Sequence, residues 1–122
     1  MRPLLNGGTL GGREALAMSF TGRDQKKMWV ADVVLRRAAR LVPVELAGPE
    51  LPIALDDINV LAAREANLRN LDFLEAVGNH APLKGGFWRD LMRACEMLEC
   101  PFRMPQLVSQ YRAALQRVGP DA

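Results

Sequence analysis

The stretch whose reading decides the fold is "ALAMSFTGRDQKKMWVADVVLRR", residues 15 to 37. Leu16, Met18 and Phe20 alternate with Ala15, Ala17 and Ser19, the period of two expected of an extended segment with one buried face. Propensity argues the other way, because Ala, Leu and Met favour helices. Thr21 followed by Asp24 resembles a capping box, which places a helix start here and not a helix interior. Alternation and cap together predict a strand over 15–20 and a helix from Arg23 to about Arg40.

Working outward, Val30, Val33, Val34, Ala38 and Leu41 trace one stripe of that helix, flanked by Met28, Ala31, Leu35 and Ala39. Apolar residues thus cover more than half its girth, which predicts a helix sandwiched between neighbours. Lys26, Arg36, Arg37 and Arg40 take what is left of the exposed side. The segment "LVPVELAG" (41–48) then alternates Val42, Val44 and Leu46 against Pro43 and Glu45, and "LPIAL" (51–55) repeats the alternation. Both read as short strands, with Pro43 and Pro52 confining part of them to an edge because proline cannot donate to a ladder. A strand, a helix of about five turns and a second strand allow a right-handed parallel crossover. The expected fold class is therefore α/β, a small mainly parallel βαββα sheet flanked by helices, with a helical C-terminal half.

In that half, Asp56 or Asp57 is positioned to cap "DINVLAAREANLRNLDFLEAV", and Gly78 stands where a left-handed residue would end it. Leu61, Leu68, Leu71, Leu74 and Val77 form its core-facing row. Residues 87 to 99 predict a further helix with Phe87, Leu91, Cys95 and Leu98 inward, and Phe87 and Trp88 read as large anchors of the core or of an interface. The last helix, "PQLVSQYRAALQRV", begins at Pro105 and stops at Gly119-Pro120, with Leu107, Val108, Tyr111, Leu115 and Val118 in phase. One domain is expected, made of a flexible glycine-containing tail over 1–13, a βαββ unit over 14–55 and three helices over 56–118.

Composition agrees with a single soluble domain: 122 residues, 49% hydrophobic and 25% charged. The opening MRPLLNGG lacks the apolar core of a signal peptide, and no run approaches the roughly 20 apolar residues of a membrane span. The expectation is a cytoplasmic protein, or one carried within a virus particle, with no membrane partner. The net charge of +2 is unevenly spread. Residues 1–40 hold eight Lys/Arg against Glu14, Asp24 and Asp32, a balance of +5, whereas residues 41–80 hold Arg64 and Arg69 against seven acids, a balance of −5. Such asymmetry steers a basic face toward RNA or DNA, or toward the acidic middle of a second copy. The candidate anion-binding residues are Arg23, Lys26, Lys27, Arg36, Arg37 and Arg40. Trp29 reads by default as a core anchor, but with Met28 beside it on a helix already apolar around much of its surface it is also the candidate interface, and self-association as a homodimer is expected.

Catalytic signatures are weak. His80 is the only histidine and reads as a surface-loop residue. The Asp56-Asp57 pair is explained by helix capping and the helix dipole. Cys95 and Cys100, five apart on one helix and its end, should lie on different faces as reduced, partly buried thiols without zinc spacing. The GGxxGG spacing at residues 7–12 lacks the strand before it and the Lys-Ser or Lys-Thr after it that a phosphate loop needs. No enzyme activity, cofactor or metal is expected. The last helix offers Gln106, Ser109, Gln110, Arg112 and Gln116 outward, a set able to read bases and equally an ordinary solvated face. The connection "ECPFRMP" before it is longer than the turn of a helix-turn-helix and carries two prolines.

The order strand, Ser19-Phe20-Thr21-Gly22, long helix, strand, strand, helix over residues 15 to about 77 resembles the first half of a BRCT domain, a small α/β module that binds other proteins. In phosphopeptide-binding members a Ser or Thr of that first turn and the backbone of the neighbouring Gly hold the phosphate, so the resemblance implies an anion turn at Ser19 or Thr21 with Gly22. The chain departs from the pattern in having Asp56-Asp57 where such members supply a Lys, and in lacking a fourth strand before Trp88. It is also similar to the minimal BRCT-like units of packaging and assembly cofactors of double-stranded RNA bacteriophages. The resulting expectation is a non-enzymatic protein-protein interaction or assembly module, of the viral or phage packaging kind, that contacts nucleic acid. Its rival is a DNA-binding transcriptional regulator using helix 105–118.

Overall fold

Asp24 in the first turn and Arg37 and Arg40 in the last complement the dipole of helix α1, which runs without a break from Gly22 to Arg40. The computed structural model describes residues 22–47, 51 and 59–118. After α1 come α2 (Val44–Ala47), α3 (Val60–Asn79), α4 (Gly85–Met97), a 3-10 turn (Pro101–Arg103) and α5 (Met104–Val118). Among the described residues there is no strand.

This overturns the α/β expectation, and the BRCT-like sheet order with it. The segment expected to be the second strand is a helical turn. Leu41 and Val42 donate backward to Ala38 and Ala39 at 3.0 and 3.2 Å, tightening the end of α1, and Leu46 donates to the Pro43 carbonyl at 2.9 Å. Pro43, read as a strand-edge residue, instead opens α2, where its preset φ and missing N–H do no harm. The alternation of Val42, Val44 and Leu46 does not mark a sheet face: Val42 is buried, while Val44 is 90% exposed. The expected strand over 15–20, the glycine-containing tail, the Asp56-Asp57 cap and all of "LPIAL" except buried Leu51 lie outside the described residues.

The three C-terminal helices form close to where the sequence puts them. Asn59 caps α3, its Oδ1 accepting from the Ala62 amide at 3.1 Å. The helix then runs past Gly78 to Asn79, so Gly78 is not a left-handed terminus. Its role is space. A Cβ there would stand 2.7 Å from Phe87 Cε2 and from Trp88 Cη2 and Cζ2. Phe87 and Trp88 meet edge to face, centroids 5.1 Å apart at 88°, and are fully buried against this gap in α3.

Helix α4 is the middle of the packing, contacting α1, α3 and α5. It contributes Phe87, Trp88, Leu91, Ala94 and Cys95 to one continuous core. Helix α1 lays Met28, Ala31, Val34, Leu35 and Ala38 into the same core, and α5 adds Leu107 and Ala114. Ala31 and Ala38 are small enough to let α1 approach α4 closely, and each buried Leu contributes about 1.5–3 kcal/mol. Met28, proposed from sequence as an interface residue, is part of this core.

Helix α4 ends in a Schellman motif. Glu99 has φ 55°, the left-handed conformation usually left to glycine. Its amide donates to Glu96 O at 3.1 Å, and the Cys100 amide donates to Cys95 O at 3.2 Å.

Candidate interaction surface

The core face of α1 fixes what its other side presents. With Met28, Ala31, Val34, Leu35 and Ala38 inward, the 3.6-residue period brings Lys26, Trp29, Val33, Arg36, Arg37 and Arg40 to the outside. Trp29 is 61% and Val33 59% exposed, one turn apart. Together they make an apolar strip along the helix with cations at both ends.

The cations differ in how they are held. Arg37 clamps Asp90 of α4 from Nε, at 3.1 Å to each carboxylate oxygen, and from Nη2 at 2.5 Å to Oδ1. The Asp90 carboxylate is buried, whereas the Arg37 side chain stays 59% exposed. Asp90 raises the Arg37 pKa further above its ordinary value, by hydrogen bonding first and by charge second. Arg36 pairs with Asp32 at 2.8 Å. Burial raises the Asp32 pKa, and the hydrogen bond and charge of Arg36 offset only part of that shift. Lys27 turns to Glu99 at 2.7 Å, bridging α1 to the end of α4. Among the described residues Lys26 and Arg40 are exposed and have no ion-pair partner. Arg23 is exposed near the helix start.

Of the six basic residues chosen from sequence, four therefore share the face with Trp29: Lys26, Arg36, Arg37 and Arg40. Lys27 leaves it for Glu99. The anion turn implied by the BRCT resemblance is represented only by Gly22, an exposed first residue of α1, because Ser19 and Thr21 lie outside the described residues. Trp29, for which the core is the default expectation, is instead exposed, and Val33, placed by its period in the core stripe, is exposed beside it.

At the C-terminal end of α1 a shallow cleft of about 320 Å³ is lined by Leu41, Pro43, Pro82, Leu83, Lys84 and Phe87. Leu41 on its rim is the residue after Arg40, so the cleft extends the apolar surface past the last cation. A smaller depression of about 80 Å³ lies at the other end, between Asp24, Lys27, Arg64 and Glu99.

The other sequence candidates gather no comparable site. His80 is exposed at the end of α3, where its amide donates to Val77 O at 3.0 Å. Among the described residues no three His, Cys, Asp or Glu side chains are grouped to hold a metal ion. No helix of the described residues is long and apolar enough to cross a membrane. On α5, Gln106, Ser109, Arg112 and Gln116 are exposed, but Gln110 donates its amide to Asn79 Oδ1 of α3 at 2.8 Å. One of the residues able to read bases is thereby tied to its own fold. Arg103 anchors the turn before α5 by pairing with Asp72 and, at 3.6 Å, with Glu75.

The cysteines correct another expectation. Five positions apart on a continuous helix they would diverge, but the Schellman turn folds Cys100 back over Cys95, and their sulfurs lie 3.4 Å apart. Both are buried.

No family model, curated protein or solved structure matches the chain.

Proposed function

We propose that the chain is a non-enzymatic interaction and assembly module, and that the outer face of α1 docks a strand of nucleic acid. The observation that carries this is the exposed indole of Trp29, followed one turn on by Val33, set between Lys26 on one side and Arg36, Arg37 and Arg40 on the other. An exposed aromatic ring supplies a stacking platform for bases, and cations spaced along the same face follow a phosphate backbone.

The exposed Trp29-Val33 strip also favours a second reading, pairing with another copy. A two-fold axis near Ala31 would oppose Lys26 of one helix to Arg36 of the other, with no free acid on the face to offset the repulsion. An anionic partner fits this surface better than its own duplicate. Base reading by α5 has less support, because Gln110 is already bonded within the fold.

The test is titration with single-stranded RNA and DNA oligonucleotides across a salt series, read by tryptophan fluorescence. Trp88 is buried, so quenching reports on Trp29. Binding should weaken steeply with salt. Trp29→Ala, which lacks the reporting indole and is therefore read by anisotropy of a labelled oligonucleotide, should lower affinity roughly 5- to 150-fold, the equivalent of about 1–3 kcal/mol for one stacked base. Salt-independent binding, or affinity unchanged by Trp29→Ala, would remove the nucleic-acid reading. Sedimentation showing a salt-stabilised dimer that Trp29→Ala dissociates would favour self-pairing instead.

A further inference from the structure

The thiols of Cys95 and Cys100 take no part in the docking surface, yet several features converge on them. In the Schellman motif the third residue from the helix end and the second beyond it are brought together, and these are the two cysteines. The Cys100 amide is bonded to Cys95 O at 3.2 Å, and the Cys95 thiol donates back to Cys100 O at 2.9 Å. These bonds hold the two backbones in register, and the sulfurs sit 3.4 Å apart. A disulfide needs its sulfurs at about 2.05 Å, and the two thiols already stand in contact, so closure asks the sulfurs to approach by little more than about 1 Å.

We propose that Cys95 and Cys100 are a disulfide-forming pair, closed by a thiol oxidant of the small-disulfide class, that staples the end of α4 to the turn entering α5. One cysteine, having lost its proton to water, attacks the oxidant's sulfur and expels one small thiolate. The second cysteine, likewise deprotonated, attacks the protein sulfur of the mixed disulfide and expels the other. The chain loses two hydrogens and two electrons pass to the oxidant, which leaves as two thiols.

Access sets the rate. Burial first, and then the hydrogen bond to Cys100, push the Cys95 thiol up to about 12, so the closed fold keeps it protonated at neutral pH. Buried Cys100 lies between exposed chain neighbours, Glu99 before it and Pro101 and Phe102 after it. On this proposal the oxidant reaches the sulfurs by local opening of the turn at the end of α4, the least costly opening available to the pair. Glu99, lying between the two cysteines, is also the partner of Lys27 on α1, so closure fixes one anchor of the helix that carries Trp29.

The test uses the full chain with oxidised glutathione, first in buffer and then in urea just below the unfolding midpoint, where access no longer limits the reaction. Remaining thiols are alkylated and the chain is cut with trypsin, which releases residues 94–103 as one peptide because Arg93 and Arg103 bracket both cysteines. The expected product is that peptide two hydrogens lighter and free of glutathione, from a monomeric chain whose thermal midpoint has risen. Cys95→Ser and Cys100→Ser should each trap a stable glutathione adduct on the remaining thiol. Persistent adducts on the unmutated chain, disulfide-linked dimers, or two alkylatable thiols after treatment in urea would each overturn the proposal.

Discussion

Replacing Gly78 with alanine sets two opposing effects against each other on one atom. Inside a helix the change ordinarily stabilises by about 0.8–1.0 kcal/mol, because alanine loses less backbone entropy on folding. Here the added Cβ would lie 2.7 Å from three aromatic carbons of Phe87 and Trp88, where carbon atoms rest at about 3.5–4.0 Å. Neither ring has room to yield, since both are fully buried and each is the other's edge-to-face neighbour. Overpacking of this kind costs about 1–3 kcal/mol, and reaches the upper part of that range where rigid rings must shift. The net expectation for Gly78→Ala is a loss of about 1–2 kcal/mol, which lowers the thermal midpoint by roughly 3–12 °C for a domain of this size. Thermal and urea unfolding followed by circular dichroism measure it. In a Trp88→Phe background two of the three crowded atoms are gone, so the penalty should shrink by at least about 0.5 kcal/mol. A variant more stable than the parent, or a penalty identical in both backgrounds, would refute the seating of α3 on the aromatic pair.

Two substitutions test the ion pairs of α1. Asp90→Asn should cost about 1–2 kcal/mol, because a buried acceptor of a two-pronged Arg37 clamp is weakened. The same change releases Arg37, so the slope of log affinity against log salt for a single strand should become steeper by about 0.7, measurable by anisotropy titration. Asp32 has a folded-state pKa raised above its unfolded value, chiefly by burial, so the folded chain holds that proton more tightly than the unfolded chain does. Stability from this group is full below the unfolded value and falls as pH rises through the folded one. Asp32→Asn should therefore stabilise the protein at neutral pH, and the advantage should vanish in urea titrations as pH is lowered toward 3.8, the ordinary value. An advantage unchanged by acid would sink that assignment.

How much of this was legible in the sequence depended on whether the local pattern had a single physical solution. In α4 the spacing of Phe87, Leu91, Cys95 and Leu98 fits one helical face and nothing else, and all four are buried as expected. Helix α1 was legible as a helix but not in its phase, since apolar residues surround most of it. The stripe through Val30, Val33 and Leu41 is about one residue position away from the face that is buried. What sets the phase is tertiary: Ala31 and Ala38 permit close approach to α4, and Asp90 waits for Arg37. The four residues of "VPVE" alternate equally well as a strand or as the opening of a short helix, and proline starts helices as readily as it edges sheets. Gly78 was read by its commonest local use, whereas its reason lies in two rings on another helix. The Cys95-Cys100 contact carried one sequence signal, Pro101 just beyond the helix end, which often follows a Schellman turn.

The same contacts that make α1 part of the core also aim its outer face. Asn67 of α3, fully buried, donates to the Met28 carbonyl at 3.2 Å, next in the chain to Trp29. Arg37 is clamped to α4 two turns further on, and Lys27 is bridged to the end of α4. The helix is thus pinned against rotation at three points that straddle Trp29 and Val33. A partner arriving at this surface would not have to order the helix backbone first, and the free energy otherwise lost in ordering it would be kept for binding. On the reading proposed above, the apolar strip left in water on this oriented helix is the part of the surface that an anionic partner would cover.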